Sequence, residues 1–448
     1  MRKLDPDLGR DLDGTADGSR RSLLVLGGSS LYVLLLFKSL ADAGLLGQFS
    51  RITLFGRDRA RLAYIAGAGA ALAAGSGCRV DYSDDFAASA DTGYDIVFNQ
   101  IRFGGLEMRD LDERCAIDAG LAADETLGIV GVSNALRTIA GMRPFVDTLA
   151  RQARRPRWVN FTNPCSIVTQ YLVDRLGPEA IGICDYPSVF KAAIAAHCKL
   201  APADLHIDYF GLNHFAFVYG VVAGGRQLLP ELLAAGAGFA LAIQAQRHLD
   251  YLVVPSWDMV FDPDTLHARQ RARRNRAADL LDIERACQRL LDAGVTEPER
   301  YLALLARRDC AWYELAVAPL LALCCADAPG EAIVNLAVDD VFGLGQRYCV
   351  VETNAMVGAG GARALALPQE VKRSVLFEFC RGMKRAELEL LHGITQGDPD
   401  AVMRSCLANP MIRSPARSAA YFERLCAADP AVGRFFASQP AATKETLS

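Results

Sequence analysis

Apolar residues first gather at Ser22-Leu23-Leu24-Val25-Leu26, break at Gly27-Gly28-Ser29-Ser30, and resume from Leu31 to Ala43 before Gly44. A short apolar run closed by glycines predicts a strand, and the longer apolar stretch behind it predicts a helix. Further strands are predicted at 51–55, 79–82, 95–98 and 158–161, and Arg137-Thr138-Ile139 predicts the opening of another helix. Strand, glycine turn, helix, strand is the first unit of an α/β dinucleotide-binding fold, in which small residues let the backbone approach a pyrophosphate at a helix N-terminus. Gly27, Gly28, Ser29 and Ser30 are therefore candidate cofactor-binding residues. The full G-x-G-x-x-G pattern is absent, since Tyr32 stands where its third glycine would be, and an unrelated α/β turn has the same outline.

The end of the second predicted strand reads Phe55-Gly56-Arg57-Asp58. An acidic residue there would hold ribose hydroxyls; glycine followed by Arg57 favours a 2′-phosphate, hence NADP over NAD, with Asp58 as the alternative ribose partner. Two other segments end short apolar runs on polar groups: Gly182-Ile183-Cys184-Asp185 and Gly211-Leu212-Asn213-His214. Strand ends are where open α/β sheets hold ligands, and a thiolate, an imidazole and a carboxylate converging there suit a transition metal. Buried structural roles for Cys184 and His214 fit the same spacing.

Composition narrows the classes. The chain has 448 residues, enough for two or three structural units, with 51% apolar and 22% charged residues and a net charge of −4. The basic run at 269–276 reads as the solvated face of a helix, so nucleic acid is not an expected partner. Thirteen scattered cysteines read as reduced thiols in a cytoplasmic protein. Arg20-Arg21 before an apolar run imitates a signal peptide, but glycines interrupt that run and Lys38 ends it, so neither export nor a membrane is expected.

Taken together, Gly27-Gly28-Ser29-Ser30, Gln100-Ile101-Arg102-x-Gly104-Gly105, Glu125-Thr126, Asn160-Phe161-Thr162-Asn163-Pro164, Gly182-x-Cys184 and Gly211-Leu212-Asn213-His214 resemble glycoside hydrolase family 4. The likeness continues through Ala311-Trp312-Tyr313, Val350-Val351-Glu352 and Leu407-Ala408-Asn409-Pro410. These NAD- and manganese-dependent glycosidases include 6-phospho-glucosidases and α-galactosidases. The resemblance implies a lactate/malate-dehydrogenase-like Rossmann domain joined to a mixed α/β substrate domain. The expected layout is a disordered tail at 1–20, an NAD(P)-binding domain at 21–180, and a metal- and substrate-binding domain at 181–448, in a homo-oligomer, dimer or tetramer.

By the same resemblance, Cys184 and His214 hold Mn²⁺ or another divalent metal, and Arg102, Glu125, Asn163 and Asn213 contact a small sugar or phosphosugar substrate. Asp185 matches the general acid of the α-type members. Family chemistry oxidises carbon 3 with NAD⁺, removes the proton on carbon 2, expels the aglycone, adds water and returns the hydride, so it needs no opposed carboxylates.

The usual tyrosine base is missing, however. The matching segment, Val254-Pro255-Ser256-Trp257-Asp258-Met259-Val260-Phe261, contains none, which leaves Tyr251 and Asp258 as candidate bases. Residues 335–340 and Gly56 also depart from the family pattern. The alternative activity is an NAD(P)-dependent oxidoreductase acting on a sugar-like or cyclitol hydroxyl without glycosidic cleavage.

Overall fold

The computed structural model describes residues 20–152, 154–235, 243–308 and 311–437. Six strands form its parallel half: β1 (Arg21–Leu26), β2 (Phe49–Phe55), β3 (Arg79–Ser83), β4 (Ile96–Asn99), β5 (Arg157–Asn160) and β6 (Ile181–Gly182). Their spatial order is β3-β2-β1-β4-β5-β6, the doubly wound order of dinucleotide-binding sheets. Both faces of these strands are covered, which explains their continuous apolar runs. Leu23 and Val25 enter one apolar layer and Leu24 and Leu26 the other, all four fully buried.

The other strands are β7 (Leu205–Leu212), β8 (Phe215–Ala223), β9 (Arg226–Gln227), β10 (Leu252–Val253), β11 (Gly330–Val338), β12 (Cys349–Gly358) and β13 (Gly361–Ala364). They pair antiparallel, and β11 joins them to the parallel half by running antiparallel to β6, with Leu336 opposite Ile181 and Asn335 opposite Gly182. One sheet therefore runs through the expected boundary at residue 180, and the sixth parallel strand lies beyond it. The C-terminal helices Val375–Gln396, Pro399–Ala408, Pro415–Ala428 and Pro430–Ala437 pack back on helices Gly105–Asp118 and Gly128–Ala150 of the first half.

Three local differences from the sequence reading have physical causes. Arg137 does not open a helix: it lies inside Gly128–Ala150, because the apolar run from Ile129 to Val132 is already helical and buried. The glycine-turn helix spans Val33–Asp42, two residues later than expected, with Tyr32 as its N-cap. Residues 1–19 of the expected tail lie outside the described residues, while Arg20 is fixed by hydrogen bonds to the carbonyls of Gly47, Phe49 and Ser76. The described cysteines are all free thiols, and no described helix is long and apolar enough to cross a membrane.

Candidate active site

The glycine turn sits at the C-terminal edge of the parallel sheet, tied to the neighbouring strand. The backbone N–H groups of Gly27 and Gly28 both donate to the Phe55 carbonyl, at 3.0 and 2.7 Å. Gly27 has a φ of +87°, and a Cβ added at Gly28 would meet the Leu54 Cβ at 2.7 Å. Only glycine permits this approach, and the turn leads into a helix N-terminus, so the residues present fit a dinucleotide.

Gly56 is explained by the same packing: a Cβ there would lie 2.6 Å from Ser29 Oγ and 2.8 Å from Ser29 Cβ. The turn itself excludes the usual acid. The Asp58 carboxylate caps helix Arg59–Leu72 by accepting from the Arg61 N–H. Arg57 is exposed at the strand end.

Cys184 follows β6 and Asp185 is the N-cap of helix Tyr186–His197. His214 occupies the two-residue turn between β7 and β8, where Leu212 pairs with Phe215, and has a φ of +62°. A non-glycine residue in the left-handed region costs about 1–3 kcal/mol, a strain that clusters at functional sites. The two segments converge: Cys184 Sγ lies 3.4 Å from His214 Nε2, and Cys184 Sγ donates to Asp185 Oδ1 at 3.6 Å. A sulfur and an imidazole nitrogen this close would both be within reach of one transition-metal ion, which they would hold.

Asp124 faces the other nitrogen of His214, with Oδ1 3.9 Å from Nδ1, and is itself held by the backbone N–H groups of Thr126 and Leu127. A carboxylate behind a histidine is a common way of orienting a metal ligand. Burial pushes the Cys184 thiol well up, with the Asp185 and Glu352 charges adding to it. Among the described residues no group of three or more His, Cys, Asp and Glu side chains could hold an ion, so a metal here would need ligand atoms from elsewhere. Asn213 Oδ1 is buried without a hydrogen-bond partner among the described residues, and the Asn213 side chain reaches Cys184, which makes this oxygen a polar position near the pair.

The Asn213 amide N–H donates to Glu352 Oε1 at 3.0 Å, Asn335 donates to the same oxygen at 2.8 Å, and the Tyr209 hydroxyl donates to Oε2 at 2.9 Å. Glu352 is fully buried. Burial raises its pKa, opposed by these three donors. This network braces the turn carrying His214, and it includes Asn335 from a segment that departs from the family pattern.

Arg102 and Glu125 meet as an ion pair, Nη1 to Oε2 at 2.5 Å, and Arg109 Nη1 takes the other oxygen at 2.8 Å. Burial works to raise the Glu125 pKa, but Arg102 and Arg109, with a smaller contribution from Arg308, hold it well below the usual carboxylate range. Glu125 is thus a half-buried anchor for two arginines. Asn163 ends the segment beyond β5, before helix Cys165–Leu176.

The two expected bases have other neighbours. Tyr251 stacks on Phe217 with ring centroids 5.6 Å apart, and Asp258 pairs with Arg269 at 2.9 Å. The phenol against the metal-type pair is Tyr186, whose ring lies 4.6 Å from that of His214 and whose hydroxyl bonds to Ser256. Burial is the largest influence on that phenol and raises its pKa. Ser256 also donates from Oγ to the His214 carbonyl. The tyrosine-free segment thus supplies a serine that grips both Tyr186 and the His214 turn.

Residues 23–200 match the model of the family 4 glycosyl hydrolases. That stretch of the chain is similar to family 4. Its residues include the glycine turn, Arg102, Glu125, Asn163, Cys184 and Asp185.

A 6-phospho-beta-glucosidase of Escherichia coli is 34% identical over 157 residues, 35% of each chain. A maltose-6′-phosphate glucosidase of Bacillus subtilis is 27% identical over 272 residues, 55% of this chain and 57% of the relative. Each match therefore spans less than two thirds of the curated relative, and those relatives are enzymes.

Solved folds extend the likeness beyond residues 23–200. The 6-phospho-beta-glucosidase of Thermotoga maritima, solved with NAD and glucose-6-phosphate, superposes with a TM-score of 0.80 at 22% identity, over 92% of this chain and 99% of that one. A 6-phospho-alpha-glucosidase from gut microorganisms, in complex with NAD and Mn²⁺, gives 0.78 at 20% identity over 92% and 99%. A lactate dehydrogenase of Eimeria maxima gives 0.52 at 12% identity over 86% and 98%, which bears out the dehydrogenase-like α/β architecture.

Proposed function

We propose that the protein is a nicotinamide- and divalent-metal-dependent glycosidase of the family 4 type acting on a phosphosugar. The observation that carries this reading is the 3.4 Å approach of Cys184 Sγ to His214 Nε2 beside Asp185, on the sheet edge that also bears the glycine turn. Bound nicotinamide would take up and return a hydride, and a divalent ion would hold neighbouring sugar oxygens.

The chain supplies the rest. Cys184 and His214 hold the ion, Asp124 orients His214, and Asn213 Oδ1 accepts from a sugar hydroxyl or bound water. Arg102, Glu125 and Asn163 line the substrate side. Asp185 donates a proton to the departing glycosidic oxygen. Tyr186, rather than Tyr251 or Asp258, is the phenol positioned to exchange a proton with the sugar. NAD or NADP fits the turn, with exposed Arg57 available to a 2′-phosphate.

The test is stoichiometric. Aryl glucoside 6-phosphates, incubated with protein, Mn²⁺ and catalytic NAD⁺ or NADP⁺, are expected to release aglycone over many turnovers with no net change in nicotinamide.

A second reading, an oxidoreductase of a sugar-like or cyclitol hydroxyl, is favoured by one observation: Trp257 is wholly buried with its indole N–H on the Ala216 carbonyl, so the segment expected to carry the base is occupied by core packing. Reduced nicotinamide accumulating one-for-one with product, without aglycone release, would replace the first reading with this one.

A further inference from the structure

Arg308 sits against two aromatic rings at the glycine turn, which also touch each other with centroids 5.8 Å apart. Its guanidinium carbon is 4.4 Å from the Trp312 ring centroid and 5.4 Å from that of Tyr32, the N-cap of helix Val33–Asp42. Stacking of this kind holds the planar guanidinium in one orientation. Within the stack, Arg308 Nε and Trp312 Nε1 are both buried without a hydrogen-bond partner among the described residues. Trp312 is only 9% exposed.

A buried donor left unpaired is costly, and here two lie side by side with no acceptor of their own, since indole and guanidinium only donate. Arg308 also acts on Glu125, whose two oxygens lie within ion-pair distance of Arg102 and Arg109.

We infer that Arg308 and Trp312 form a binding element for a phosphoryl group next to the glycine turn. A phosphoryl group is small, anionic and purely accepting, and its several oxygens satisfy both N–H groups at once. Two carriers share this chemistry, the phosphate of a phosphosugar and the pyrophosphate of the dinucleotide. The identity of the carrier rests on the proposed function; the phosphoryl site itself does not.

The test is calorimetric titration of inorganic phosphate, glucose 6-phosphate and NAD⁺ into full-length protein and into Arg308→Met and Trp312→Phe. The second variant keeps the ring stack and removes only the indole N–H, and Arg308→Lys, which keeps the charge but not the fork, serves as the milder third. Inorganic phosphate is expected to bind roughly tenfold or more weakly to Arg308→Met, with a smaller loss in the other two. Weakening that extends to glucose 6-phosphate identifies the sugar as carrier; weakening that extends to NAD⁺ identifies the dinucleotide. Unchanged affinity for all three ligands in variants that melt like the wild type overturns the inference, as does a wild type that binds none of them. Phosphate binding through Arg308 in a protein that binds neither NAD⁺ nor NADP⁺ would instead overturn the proposed function and leave this site standing.

Discussion

Cys184 and His214 face each other at 3.4 Å although thirty positions separate them, and His214 reaches that place only by adopting a φ of +62° in a two-residue turn. The strain and the ligand role make separable demands on this position. Removing the imidazole with glycine also removes the strain, so His214→Gly is expected to lose bound divalent metal while melting at or above the wild-type temperature. His214→Val is expected to lose the metal and to be destabilised by about 1–3 kcal/mol. Cys184→Ser should lose the metal too. Metal content by elemental analysis, paired with thermal unfolding, checks all three, and full metal retention in His214→Gly would remove the imidazole from the site.

The proton-transfer role separates three candidate residues. Tyr186 lies on His214, whereas Tyr251 lies on Phe217 and Asp258 on Arg269. Deuterium entry from solvent into carbon 2 of the sugar is expected to fall by about a hundredfold or more in Tyr186→Phe, with hydride transfer still measurable. It should persist in the Tyr251→Phe/Asp258→Asn double variant. The opposite pattern would return the role to the residues singled out from the sequence.

What was legible beforehand was local. Continuous apolar runs and the glycines that close them sit next to one another in the chain, so β1, the turn, and the strand ends bearing Cys184 and His214 could be read directly. The bracing of the site was not, because it joins remote positions: Asn213 and Tyr209 to Glu352, Ser256 to the His214 carbonyl, and Arg308 to Tyr32. Asp124 and Tyr186 adjoin Glu125 and Asp185, but nothing in their immediate neighbours shows that both turn towards His214. Helix Gly128–Ala150 begins nine residues before Arg137 because burial on nearly all sides hides the period that marks a helix.

The ion network behind the site carries a pH signature. Asp112 is pushed up to about 6, from 3.8, by burial, against the pull of Arg137, which also pairs with Asp429 at 2.9 Å. A carboxyl whose pKa rises on folding holds its proton more tightly in the folded state. Its contribution to stability is therefore fully present below about 3.8 and is lost as pH rises through about 6. Asp112→Asn cannot titrate, so its stability relative to wild type is expected to improve by up to about 2–3 kcal/mol between pH 4 and pH 7. Urea unfolding of both proteins across that range measures the difference, and a gap that stays constant with pH would refute the shift.

The close packing of Gly56 on Ser29 bears on which dinucleotide the strand end would accept. Because a Cβ at 56 would meet Ser29 Oγ at 2.6 Å, restoring an acid there is not a simple route to NAD preference. Gly56→Asp is expected to destabilise the protein by about 1–3 kcal/mol through overpacking and to weaken both dinucleotides. Pairing it with Ser29→Gly removes only the side-chain part of the clash, because the Ser29 backbone nitrogen would also lie 2.8 Å from that Cβ, so a minor part of the stability should return, with the new carboxylate disfavouring a 2′-phosphate. Arg57→Ala, on an exposed side chain, should leave stability within about 0.5 kcal/mol of wild type and weaken NADP alone. Binding of both dinucleotides to the four proteins tests the assignment. NADP affinity unchanged in Arg57→Ala would mean that the 2′-phosphate, if bound, is held by another residue.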